Sequence, residues 1–214
     1  MNEKEKMQPK VRFREFTGEN APDWEQRKFN EIFTKSIINN TLSRADLTYD
    51  KGGIKNIHYG DILTKFDYCI SSNDFRLPSI SKDDDFVSQD ELLENGDIVI
   101  ADTAEDYTTG KTIEIVDSTN KIVAGLHTMA FRPNTKFASG YLGYYFNSIP
   151  YRKQLIKYIQ GIKVLSISKS NINKTSLTFT TNYDEQLLIS KLLSNVEKLI
   201  TLHQRKYKNR SISI

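Results

Sequence analysis

Up to residue 181 the apolar residues come in short bursts between polar loops; beyond it they settle into a single helical period. The spacing Trp24, Phe29, Ile32, Phe33 predicts a short amphipathic turn or helix entering the core. Residues 40–60 are polar around Gly52-Gly53 and read as loop. Two later segments share a form, Gly60-Asp61-Ile62-Leu63 and Gly96-Asp97-Ile98-Val99-Ile100-Ala101. Each predicts a tight Gly-Asp turn feeding a buried strand, with the aspartate bonding the backbone two residues on. Ile113–Val116 and Ile122–Gly125 flank Asp117–Asn120 as a hairpin would, and His127–Phe131 is a further strand candidate.

Tyr141–Asn147 reads as a short helix. A second helix starts at Ser148-Ile149-Pro150, with Pro150 at its first position and Gly161 as its stop; Leu155, Ile156 and Ile159 share one face. Val164–Ile172 alternates in part, and Ser176–Phe179 suits a closing strand. This irregular mixture is α+β, a mixed α/β domain without the regular alternation of a doubly wound sheet. Asn182 can cap a last helix, with Glu185 reaching back to it. Leu188, Leu192, Asn195, Leu199 and Leu202 then follow a 4-3-4-3 spacing, and Ile189, Leu193, Val196, Ile200 and His203 repeat it one residue along. Two adjacent seams make a coiled-coil-like helix too wide for one partner, roughly 39 Å long from Tyr183 to Lys208. Its apolar positions, with Asn195 as a register device or a solvated residue, ask for a partner helix. The organisation expected is an arm over residues 1–20, a domain over 21–181, the helix over 182–208 and a tail over 209–214.

Charge sharpens this picture. Ser118–Tyr183 holds no aspartate or glutamate but nine lysines and arginines. At the chain average, 27 acids in 214 residues, about eight acids would be expected there. Asp83–Asp117 carries twelve acids and only Lys111 as a base, so the net charge of +3 hides a polarity along the chain. A basic half interleaved with Tyr, Ser, Thr and Asn suits a polyanion, since each lysine near a phosphate releases condensed counterions; the alternative is charge blocks on opposite solvated faces. No apolar run is long enough to span a bilayer, and the first residues lack the apolar stretch of a secretory signal. Cys69 is the only cysteine, so no internal disulfide forms and a reducing, cytoplasmic setting is expected.

Candidate chemistry lies in two loops. Tyr107-Thr108-Thr109-Gly110-Lys111 is a polar loop whose glycine would let backbone approach DNA, or an ordinary turn. Gly161 to Asn171 offers Lys163, Ser166, Ser168, Lys169 and Asn171, the donors that base edges and phosphates accept from. His58 and His127, each beside apolar residues, read as structural. Asp83-Asp84-Asp85 reads as a solvated turn rather than a cation site. No zinc-ligand spacing, nucleophile elbow, methyltransferase cofactor loop or Glu-x-Lys nuclease pair occurs, so no catalytic residue, metal or cofactor is expected.

The order of motifs resembles one half of the specificity subunit of a Type I restriction-modification system. The carrying residues are Lys10-Val-Arg-Phe-Arg-Glu-Phe-Thr-Gly18, Trp24–Phe29, Tyr59–Ile62, Leu93–Ile100 and Thr109-Gly-Lys111. Ala124–Pro133, Tyr141–Ser148, Gly161 with Ser166–Ile172, Asp184-Glu-Gln186 and the Leu/Ile helix to Lys206 complete the series, over about Lys10 to Lys208. The resemblance implies a target recognition domain followed by a spacer helix. Such units come in tandem, each reading half of a split site in double-stranded DNA. Their helices pair antiparallel, methyltransferase (modification) subunits dock on them, and translocase-nuclease (restriction) subunits join for cleavage. The base-reading residues vary with the target and do not carry over. Thr180 stands where the family often has proline, and after Lys208 the sequence ends in Asn-Arg-Ser-Ile-Ser-Ile. Two functions are therefore expected. One is a sequence-specific DNA reader that self-associates through its helix; the other is a truncated paralogue that docks on methyltransferase or intact specificity subunits without reading DNA.

Overall fold

The computed structural model describes residues 9–18, 21–50, 53–81 and 87–211, with side chains through residue 204. Gly52 and the Asp83-Asp84-Asp85 triplet lie outside the described residues. In chain order the elements begin β1 (Trp24–Lys28), α1 (Phe29–Ile32), β2 (Lys35–Ile37), β3 (Leu47–Thr48), β4 (Lys55–Ile57) and α2 (Tyr59–Thr64). Then come β5 (Cys69–Ser71), β6 (Ser79–Ile80), β7 (Ile98–Ala101), β8 (Thr103–Ala104), β9 (Thr112–Asp117), β10 (Ile122–Ala124) and β11 (Thr128–Arg132). The chain closes with α3 (Tyr141–Phe146), α4 (Ile149–Ile156), β12 (Leu165–Ser166), α5 (Lys169–Ile172), β13 (Ser176–Thr180) and α6 (Tyr183–Ser211). The fold is a mixed α/β domain followed by a long helix.

The central sheet runs β2-β11-β7-β9-β5. Every residue of β7 is buried because both faces of the strand are covered. Ile98 and Ile100 point into one core with Phe29, Phe33, Phe131 and Phe146, while Val99 and Ala101 point into another with Ile57, Ile62, Ile113 and Ile122. In the first core Phe29 stacks on Phe33 at 4.6 Å between centroids and meets Phe131 edge-on at 5.0 Å. A second sheet, β10-β4-β6-β3, packs over the other core, and the ribbon β1-β13 pairs Trp24 with Thr180, closing the domain just before α6.

Several expectations are corrected here. Trp24–Lys28 is a strand, and only Phe29–Ile32 is helical; residues 40–60 contain β3 and β4. The hairpin across Asp117–Asn120 does not form: β9 pairs with β7 and β5, whereas β10 pairs in parallel with β4. Ile113 and Ile115 instead meet Ile122 and Ala124 face to face across a core, so their apolar sides are satisfied by stacking sheets. Gly60-Asp61 opens no strand. His58 caps α2 there, its Nδ1 accepting from the Gly60 amide at 3.2 Å. Asp61 is buried and holds Arg44 and Lys65, each at 2.8 Å. Gly96-Asp97 does precede a strand, but Asp97 bonds backward to the Glu94 amide (2.7 Å) and forks Arg132 through Nε and Nη2, both at 2.8 Å. Helix α4 stops at Ile156, short of Gly161; its buried face is Tyr151 and Leu155, with Ile156 exposed.

The cap of α6 is half as expected. Asn182 Oδ1 accepts from the Glu185 amide at 3.0 Å, but the Glu185 carboxylate turns away to other donors. It takes a fork from Arg12 at 2.6 and 2.7 Å and the Thr180 hydroxyl at 2.6 Å. Burial pushes this carboxyl up, and the Arg12 and Thr180 bonds outweigh it, leaving it below its ordinary value. Gln186 accepts from the Ala138 amide (2.9 Å), Ser190 donates to Ser139 O (2.7 Å) and Tyr144 donates to Glu197 (2.6 Å). These bonds seat the first four turns of α6 on α3 and its flank.

Candidate nucleic-acid interface

The two polar loops, far apart in sequence, lie side by side. Strand β8 pairs antiparallel with β12, matching Ala104 to Leu165 and Thr103 to Ser166. The Leu165 carbonyl accepts from Thr103 Oγ1 at 3.0 Å and from Thr109 Oγ1 at 3.4 Å, and the Ile167 amide donates to Asp102 O at 2.9 Å. Arg152, from α4, donates to the Tyr107 carbonyl. Gly110 (φ +81°) lets the loop pass close by: a Cβ there would lie 3.1 Å from both Arg152 Nη1 and Leu155 Cδ1.

Within the first loop only Thr108 among the singled-out residues is on the surface. Its hydroxyl and amide both donate to Asp106, holding that carboxyl below its ordinary value. Thr109 is fully buried, donating to Asp106 O at 2.9 Å. Lys111 turns inward, its ammonium capping the end of α2 through Phe66 O (2.6 Å) and Leu63 O (3.4 Å), and burial lowers its pKa. Thr109 and Lys111 therefore stand behind the surface as its supports, because the donors that would have met a duplex are spent on carbonyls of the chain.

The second loop is the outward one. Gln160 and Ser166 exchange backbone hydrogen bonds of 3.0 and 2.7 Å, closing a short hairpin. Gly161 (φ +129°) is required at its corner, since a Cβ would fall 2.0 Å from the Val164 carbonyl oxygen. Lys163, Ser166, Ser168 and Lys169 are exposed. Ser168 caps α5 by accepting from the Asn171 amide at 3.3 Å. Asn171 is half-buried and committed: its Nδ2 donates to Tyr158 O (3.3 Å), and Lys174 donates to its Oδ1 (2.8 Å). The hairpin tip carries an apolar residue that the sequence reading passed over, Ile162, 99% exposed. Its signal was there as a lone β-branched residue between a glycine and a lysine.

Beside the hairpin is a cleft of about 500 Å³ between Tyr59, Leu63, Thr108, His127 and Val164. His58 is structural, capping α2. His127 is half-exposed, and its φ of 55° makes it the one non-glycine residue in the left-handed region among the described residues. Its Nδ1 lies 3.5 Å from Asp102, whose carboxyl is pushed up by burial and drawn back by the histidine. Among the described residues no group of three or more His, Cys, Asp or Glu is placed to hold a metal ion, and no helix is long and apolar enough to cross a membrane.

Beyond Ser190 the long helix turns most of its apolar side outward, while Tyr144 still holds it to the domain at Glu197. Leu188 is half-buried, whereas Leu192, Asn195, Val196, Leu199 and Leu202 are exposed, the four apolar ones between 44% and 58%. Ile200 joins them at 53%, giving the wide unpaired stripe that the doubled seam foretells.

Comparisons with known proteins agree with this architecture. The S subunit of a Type I restriction-modification system from M. genitalium is 14% identical, with a TM-score of 0.54 over 87% of this chain and 44% of that one. A chain from a type I R-M system, described for its assembly and conformational transition, gives 15%, 0.55, 90% and 44% in the same order. The HsdS subunit from Thermoanaerobacter tengcongensis gives 14%, 0.52, 93% and 42%. The chain thus spans less than half the length of these structures, and at this identity the likeness shows the fold. No curated protein matches the sequence. The model of the Type I restriction modification DNA specificity domain, however, matches residues 22–210, and with nearly its whole length covered the chain belongs to that family.

Proposed function

We propose that this chain reads one half of a bipartite DNA target, and that it directs modification and restriction subunits of a Type I complex to that site without being catalytic itself. The observation that carries the reading is the pairing of β8 with β12, which brings the loop of Thr108, from the acidic segment, against the hairpin of the acid-free half that exposes Lys163, Ser166, Ser168 and Lys169. Lysines there meet phosphates and fix register, while hydroxyls reach base edges. Thr109, Lys111 and Asn171 hold the surface in shape. The exposed stripe of α6 is the seam for a second specificity helix, from another copy of the chain or from another specificity unit, and the pair would form the frame on which methyltransferase subunits dock.

The test is the salt dependence of binding to duplex DNA. Each phosphate contact contributes about 0.9 to the slope of log K against log salt, so Lys163→Ala with Lys169→Ala should flatten it by about 1.8. Between 50 and 200 mM salt that is roughly a tenfold smaller loss of affinity, equal across sequences. An unchanged slope would remove these lysines from the interface. The stripe of α6 favours one other reading, a module that docks on partner subunits and reads nothing. Assembly with a methyltransferase subunit, with no methylated motif and no sequence preference, would establish it.

A further inference from the structure

We infer that Ile162 reads a thymine through its 5-methyl group in the major groove, which makes it a specificity-determining residue of the interface; the inference rests on the DNA-reading function proposed above. A scattered apolar side chain on a surface needs no explanation. Ile162 differs in how it is presented. It stands 99% exposed at the tip of a hairpin whose corner admits only Gly161 and whose neck is closed by the two Gln160–Ser166 hydrogen bonds. The hairpin is anchored in turn, through Leu165, to β8. The side chain is β-branched and stiff about χ1, so little freedom is left to lose when it is buried by a partner.

The surroundings select the partner. Lys163 follows directly, and Lys169, Ser166 and Ser168 lie on the same exposed stretch, so whatever covers Ile162 presents negative charge and hydrogen-bond acceptors around one small apolar spot. A protein surface apolar enough to cover Ile162 alone would leave these lysines unpaired. Duplex DNA satisfies both demands. Its major groove is lined by phosphates and base-edge acceptors, and the thymine methyl is the apolar group it offers there. Val164, 58% exposed on the same hairpin, lines the neighbouring cleft with Glu105 and Asp106, so the apolar contact falls to Ile162.

The experiment selects binding sequences from a pool of unmethylated randomised duplexes with the full chain and with Ile162→Ala. The wild type should select a motif containing a thymine whose replacement by deoxyuridine weakens binding about fourfold, the worth of one buried methyl. Ile162→Ala should keep the remaining positions, become indifferent at that one, and bind thymine and deoxyuridine alike. A motif that the substitution leaves unchanged, or a deoxyuridine penalty that persists in Ile162→Ala, overturns the assignment while leaving the DNA-reading function intact. A rise in 2-aminopurine fluorescence at a base step, lost in Ile162→Ala, would also overturn it by making the residue an intercalating wedge. If the wild type selects no motif at all, the proposed function falls and this inference falls with it. Ile162→Ala should unfold at the same temperature as the wild type, since the side chain is fully exposed.

Discussion

The carboxylate of Glu114 makes a sharp prediction, because it is buried beneath the helix that carries α6. Glu114 is 1% exposed on β9; its Oε1 accepts from the Gly140 amide at 2.7 Å and its Oε2 from the Gly143 amide at 2.8 Å. It thereby ties the first turn of α3 to the central sheet. Burial pushes its carboxyl up to about 7 against the opposing pull of these amides. In the unfolded chain the group returns to about 4.5. Between those values the folded protein holds a proton that the unfolded chain has lost, so stability is greatest at the acid end and falls as pH rises through the window. A displacement of about 2.5 units at 1.36 kcal/mol each amounts to about 3 kcal/mol. Glu114→Gln removes the titration, and also one acceptor oxygen, a loss of about 1–3 kcal/mol that does not vary with pH. Urea unfolding of both proteins from pH 5 to 8 isolates the effect, since every other titrating group cancels in the difference. The stability of the wild type relative to Glu114→Gln should decline by about 2–3 kcal/mol across that range. A difference that stays constant would mean that the amides hold the carboxylate ionised throughout, and the reasoning from burial would be refuted.

Three further predictions concern the same region and the long helix. A Cβ on Gly143 would lie 2.2 Å from the Tyr68 carbonyl oxygen, so Gly143→Ala must push α3 off β5; a loss of about 3 kcal/mol in urea unfolding is expected, and a neutral variant would contradict the close approach. Leu192→Asp with Leu199→Asp alters side chains 51% and 57% exposed, so the domain should keep its stability within about 1 kcal/mol. Sedimentation should show self-association in the wild type and none in this variant; association that survives the change would move the seam elsewhere. Cys69 lies under Gly140 with its thiol pushed up to about 12 by burial, so alkylation at pH 8 should run about a thousandfold slower folded than in urea, and equal rates would show the thiol to be open.

What could be read in the sequence divides by the range of the interactions that decide it. β7, β11, α3, β13 and α6 were legible because period, caps and turn residues within a few positions select them. The two Gly-Asp pairs show the limit. Locally they are the same turn signal, yet one starts a helix because His58 caps it and Arg44 balances the buried Asp61, and the other leads to a strand whose Asp97 is balanced by Arg132. In both the aspartate is a buried anchor for an arginine 17 or 35 residues away, which no turn rule contains. The missed partition of β9 and β10 has the same origin, since alternation reveals which residues seek a core but not whether two strands meet by edge or by face.

The candidate interface divides along the same line. Composition marked both loops as polar and glycine-bearing, one with a lone base among acids and one in the basic half; the fold sets them side by side, but exposure decided each residue separately. Lys111 looks the more functional in sequence because it is the only base among twelve acids. It is spent on the carbonyls of Leu63 in α2 and Phe66 just past it, 48 and 45 residues away, and so braces the loop from behind. Lys163, unremarkable in a run of basic residues, keeps its charge free at the rim of the hairpin. If the proposed DNA-reading function holds, the outward charge of Lys163 and Lys169 favours the hairpin of Gly161–Ser166 and its flank, over the Thr108–Lys111 loop, as the part that meets a phosphate.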